Sequence, residues 1–83
     1  MEIAVQEYIE FETNDGIRKV ALDRLVLKVS SCSQQGASYH ALTMGALESN
    51  PQNATLLAPI SKLRFDELRG KHPSLPLLRR EMD

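Results

Sequence analysis

The stretch ETNDGIRK at residues 12–19 constrains this chain more than any other. An Asp-Gly step between two alternating segments is the strongest short-range hairpin signal, because glycine takes the positive φ that a tight two-residue turn demands. Upstream, EIAVQEYIEFE puts Ile3, Val5, Ile9 and Phe11 on one parity and Glu2, Gln6, Tyr8, Glu10 and Glu12 on the other, with Glu7 as the exception. That period of two belongs to a strand with one buried and one wet face. Downstream, IRKVALDRLVLKVS is rich in Val and Leu and reads as its partner. With Asp15-Gly16 as the loop, Phe11 faces Val20, Ile9 faces Leu22, Val5 faces Val26, Glu7 faces Arg24 and Glu12 faces Lys19. A one-residue slip would set Phe11 against Lys19 and send every side chain to the wrong face. Charge agrees with the pairing, since residues 1–16 carry a net −5 and residues 17–30 a net +3.

The same register leaves Leu25, Leu27 and Val29 on the nominally wet side. Either the strand bends at Asp23-Arg24, or the C-terminal helix, a second copy of the chain or a partner covers that face. Farther on, SSCSQQGAS is a polar connector. SYHALTMGALE, at residues 38–48, half-fits both strand and helix and is read as strand, because ESNPQN is a strong loop and ATLLAP a return strand beyond it. APISKLRFDELRGKHP reads as a helix begun at Pro59 or Ser61, with a stripe of Ile60, Leu63 and Leu68 and with Gly70 as a left-handed cap before Pro73. SLPLLRREMD is expected to form a short terminal helical turn.

The expected fold is therefore α+β: a small antiparallel sheet of about four strands, opened by the N-terminal β-hairpin, with one C-terminal helix packed on it. A single domain of 83 residues would hold a hairpin over 1–30, a second strand pair over 37–58, a helix over 59–70 and a terminal turn over 73–83. A core this small supports a stability of about 5 kcal/mol.

Composition removes several function classes. One cysteine allows no internal disulfide, the first ten residues have no basic start, and no apolar run approaches the roughly 20 residues of a membrane helix, so a cytoplasmic protein is expected. Cys32 and His40 are the only thiol and base that could pair, and nothing near them in sequence would orient the imidazole. One Cys and two His are too few for a metal centre. Glu7, Glu10 and Glu12 split across two faces of a strand, so they do not make an acid pair for hydrolysis. The glycines are scattered and form no phosphate loop. The reading is a protein that is not an enzyme and has no catalytic, cofactor or metal residues.

Nucleic acid comes second to a protein partner. Lys62, Arg64, Arg69, Lys71, Arg79 and Arg80 make the C-terminal third basic, but Asp66, Glu67, Glu81 and Asp83 reduce it to +2. VALDRLVLKV, at residues 20–29, resembles part of the LytTR-type DNA-binding domain, which would imply a transcriptional regulator. The basic recognition segment of that family has no counterpart farther along the chain. What remains is a protein-interaction module: a small inhibitor of the kind carried by phages and mobile elements (anti-CRISPR or anti-restriction proteins), an adaptor or a regulatory subunit. Its partner, or a second copy in a homodimer, would meet Leu25, Leu27, Val29, Leu75, Leu77, Leu78, Arg79 and Arg80. Glu2, Glu10, Glu12 and Asp15 would supply an acidic contact that imitates nucleic acid.

Overall fold

A computed structural model describes residues 7–34 and 36–82. The class is α+β: the described residues form six strands in two sheets and one α-helix near the C-terminus, so the strand count exceeds the expected four. β1 (Tyr8–Thr13) and β2 (Gly16–Ala21) form a two-stranded antiparallel hairpin. β3 (Leu25–Cys32), β4 (Gly36–Thr43), β5 (Thr55–Ile60) and β6 (Leu77–Met82) form a four-stranded sheet in the order β5-β4-β3-β6. The helix, α1, spans Lys62–Lys71.

The hairpin lies where ETNDGIRK places it, with its register shifted. Thr13 pairs with Gly16, so the loop is Asn14-Asp15, and Ile9 faces Val20 while Phe11 faces Arg18. Both loop residues keep negative φ, and the positive φ falls on Gly16 at 108°. A turn of that hand splays right-twisted strands, and glycine beside it absorbs the mismatch. The Thr13 hydroxyl closes the turn by donating to the Gly16 carbonyl at 2.8 Å and accepting from the Asp15 amide at 3.2 Å. The expected Glu12–Lys19 pair gives way to Glu10–Lys19 at 3.8 Å, between two side chains more than half exposed. Such a contact is worth about 0.2–1 kcal/mol. Glu7 meets Leu22 through its backbone carbonyl, at 2.9 Å, rather than meeting Arg24. The Val5–Val26 pair lies outside the described residues.

Gly16→Val should cost more than about 1 kcal/mol, because a β-branched residue fits positive φ poorly. No neighbouring atom lies within 4 Å of where a Cβ would sit, so the cost is conformational and not a clash. A urea midpoint unchanged from the wild type would show that residue 16 is not held in that conformation.

A bend at Asp23-Arg24 resolves the chain's doubly apolar second strand. Leu22–Arg24 forms a single 3-10 turn that ends the hairpin and delivers β3 into the other sheet. There β3 is central, paired antiparallel with β4 and parallel with β6. The turn is held by the Arg24 carbonyl, which accepts from the Met44 amide at 2.8 Å, and by the Arg24 guanidinium, which donates to the Gly45 carbonyl at 3.2 Å.

The tail is a strand and not a helical turn. β5 and β6 both run parallel to β3 but occupy opposite edges, so α1 must carry the chain across the sheet. Three strand spacings are about 14 Å and ten helical residues are about 15 Å long, so the helix just reaches. Ser61 caps it, accepting from the Arg64 amide at 3.1 Å, and the helix runs through Gly70 to His72 at its C-cap. Pro59 and Ile60 belong to β5, and Leu63 is 79% exposed, so Phe65 and Leu68 supply the buried stripe.

One face of the large sheet carries the core. Leu25, Leu27 and Ala41 from the sheet, Phe65 and Leu68 from α1, Phe11 and Val20 from the hairpin, and Leu75 pack into one cluster. Tyr39 stacks on Phe65 with ring centroids 4.6 Å apart. The cross-strand pair Val26 and Leu42 is also buried but stands apart from this cluster, on the opposite face by its parity. Edge exposure is moderated in two ways: β5 carries Pro59, which has no N–H to offer, and β6 carries Arg79, Arg80 and Glu81. Among the described residues no helix is long and apolar enough to cross a membrane.

Candidate interaction surface

The apolar residues singled out in the sequence as partner contacts divide sharply. Leu25 and Leu27 are fully buried and Leu75 is buried, so all three are core and not interface. Val29 and Leu77 are half-buried and pack against that core. Leu78 is half-buried on the other face, and Arg79 and Arg80 are exposed on alternating sides of β6. What covers β3 is the chain itself: α1 and the hairpin over one face, β6 along one edge.

The acidic residues are brought together. Glu10 and Glu12 are exposed on the outer face of β1, Asp15 is exposed in the turn, and Glu2 lies outside the described residues. On that outer face the hairpin register aligns Tyr8 with Ala21, Glu10 with Lys19 and Glu12 with Ile17. Tyr8 is 58% exposed and Ile17 66%. The surface thus has an aromatic residue at one end, an isoleucine at the other and two carboxylates between. The parity that placed Glu10 and Glu12 on the wet face also places Tyr8 and Ile17 there, so this surface was readable from alternation.

A groove of about 390 Å³ continues it, between residues 10–12 of β1, residues 59–61 and Arg64. Arg64 ties α1 to the hairpin. Its guanidinium lies 5.7 Å from the centre of the Phe11 ring, donates to the Glu10 carbonyl at 3.4 Å and pairs with Glu67 at 3.2 Å. A cation over a ring face contributes about 0.5–1 kcal/mol at an exposed site, and it also fixes the groove's wall. Nothing in the local sequence announces this contact, which joins residues 54 apart.

The basic C-terminal third does not form one surface. Arg64 and Lys71 share the same Glu67 carboxylate oxygen, at 3.2 and 3.3 Å, while Arg79 and Arg80 lie on β6. Cys32 and His40 are separated as well. They sit on one sheet face, but His40 pairs with Lys28 and Cys32 with Gly36, four ladder steps or about 13 Å apart. Among the described residues, no group of three His, Cys, Asp or Glu side chains is placed to hold a metal ion.

The chain matches no protein-family model, no curated protein and no solved structure.

Proposed function

We propose that the protein is a non-catalytic, cytosolic interaction module, such as a small inhibitor, adaptor or regulatory subunit, and that it binds a protein partner through the outer face of its hairpin. The observation that carries this reading is the exposure of Tyr8 and Ile17 on a face otherwise filled by Glu10, Glu12 and Lys19. Tyrosine is enriched among the residues that dominate binding energy, and apolar groups rimmed by charge are the usual composition of a binding patch. The hairpin's inner face is locked into the core by Phe11 and Val20, so the outer face is presented by a rigid strand pair at little ordering cost. With Glu10, Glu12 and Asp15 on it, the complementary partner surface is basic and partly apolar. A nucleic-acid-binding protein offers such a surface, which is the sense in which these acids would imitate nucleic acid.

The test compares wild-type protein with a Tyr8→Ala/Ile17→Ser variant, both tagged, in capture from lysate of the organism that encodes them, with and without nuclease treatment. Both substitutions are at exposed positions and should change stability by about 0.5 kcal/mol or less each. A stoichiometric protein held by the wild type and weakened at least about tenfold by the double variant supports the reading. A protein held equally by both, or lost on nuclease treatment, overturns it.

A further inference from the structure

Among the described residues, β2 has β1 on one side and no strand on the other. The remaining sheet edges are each blunted: Arg64 meets the outward edge of β1, β5 carries Pro59, and β6 carries bases and an acid in succession. β2 has neither a proline nor an acid, and residues 16–19 are all exposed. The backbone phase of this edge follows from one bond. Residues of a hydrogen-bonded antiparallel pair exchange both N–H···O bonds, and the next pair turns its groups outward. The Leu22 amide donates to the Glu7 carbonyl at 2.9 Å, so steps of two along the register make Ile9–Val20, Phe11–Arg18 and Thr13–Gly16 the bonded pairs. Ile17 and Lys19 therefore direct their N–H and C=O groups away from β1. The carbonyl of Glu10, the register partner of Lys19, agrees with that phase, since it points outward and accepts from the Arg64 guanidinium.

We infer that β2 takes up an extended, acidic segment of the protein partner as a third, antiparallel strand of the hairpin sheet. This strand addition rests on the outer face being a binding surface and specifies how the partner is held there. An unpaired edge is a template for another strand, with main-chain bonds supplying affinity and alternate side chains supplying specificity. Arg18 makes no ion pair with a described residue, and Lys19 reaches Glu10 only at 3.8 Å. Residues directly opposite across a ladder share a face, and opposite charges there are stabilising. Running antiparallel, the incoming strand presents acids to Lys19 and Arg18 in succession, then an apolar residue to Ile17, which is 66% exposed. A second copy of β2 is a poor occupant. A two-fold pairing centred on the strand sets Arg18 or Lys19 against itself, and like charges directly opposite are destabilising. The added strand lies on the far side of β2 from Glu10 and Glu12, so it and the basic surface that meets those carboxylates are different parts of one partner.

The probe is a fluorescein-labelled peptide of about eight residues with Glu-Glu-Val at its centre, titrated with the full chain by fluorescence anisotropy. Amide hydrogen exchange on the complex, read by NMR, reports where it sits. Binding should slow exchange of the Ile17 and Lys19 amides at least about tenfold and leave the Arg18 amide, already bonded to β1, unchanged. Arg18→Glu/Lys19→Glu should weaken binding more than about tenfold, and a Lys-Lys-Val peptide should restore it, with circular dichroism verifying the fold. N-methylation of the peptide amides that face β2 should abolish binding while leaving the peptide's charge intact. Absence of binding would overturn the inference. So would binding that leaves the Ile17 and Lys19 amides unprotected, or equal binding by the N-methylated peptide. If capture from lysate is lost on Tyr8→Ala while these amides stay unprotected by the peptide, the outer-face reading stands and the strand addition falls.

Discussion

Leu27→Asp is expected to abolish the cooperative unfolding transition of this protein. Leu27 is fully buried on the central strand, with Ala41 beside it on β4 and Leu77 beside it on β6. Removing the leucine side chain costs about 2–5 kcal/mol by itself. An unpaired carboxylate in the same place adds a desolvation penalty of several kcal/mol. A chain of this length holds about 4–12 kcal/mol in total, so the substitution removes most or all of it. Thermal circular dichroism is the measurement. A native spectrum with a midpoint within a few degrees of the wild type would mean that the face bearing Leu27 is an exposed contact surface after all. Leu63→Asp provides the contrast: at 79% exposure it should shift stability by less than about 0.5 kcal/mol.

The second large effect belongs to Phe65→Ala. Phe65 is one of two buried residues on α1, and its ring packs on Tyr39 across the sheet. Truncating a buried phenylalanine costs about 3–5 kcal/mol, part of it the cavity that the rigid strands cannot close. The lost aromatic pair accounts for about 0.5–1.5 kcal/mol of that figure. Urea denaturation should show the midpoint falling with a nearly unchanged slope. A change under about 1 kcal/mol would mean that α1 is held by Leu68 and its caps, and that the helix contributes little to the core.

How far these sites were legible depends on how local their causes are. The hairpin followed from residues 8–21 because alternation and turn chemistry act over a few bonds. Its exact pairing did not follow. Moving Phe11 from Val20 to Arg18 shifts the register by two, which leaves every side chain on its original face. Hydrophobic pattern cannot separate registers of equal parity; the conformation at Gly16 does. Helix α1 is recognisable from Ser61 and its apolar periodicity, yet that periodicity points Leu63 inward and counts Ile60 in the helical stripe, whereas Pro59 and Ile60 belong to β5 and Leu63 is exposed. Leucine is as common on one element as on the other, and only the neighbouring strand shows which residues pair.

The same reason separates what this chain's sequence determined from what its tertiary structure decided. Period-two alternation, a turn signal within residues 14–16, the Ser61 cap and the acidic outer face of β1 are short-range properties, and they were sufficient for the α+β class and for the location of Glu10, Glu12 and Asp15. The contacts of Arg24 with Met44 and Gly45 that hold the 3-10 turn between the two sheets, the parallel seat of β6 beside β3 and the Arg64 bridge to Phe11 all join distant segments. Their energy comes from contacts that exist only after the chain has closed on itself. That is why Leu25 and Leu27, apolar and apparently surplus in the sequence, became the centre of the core.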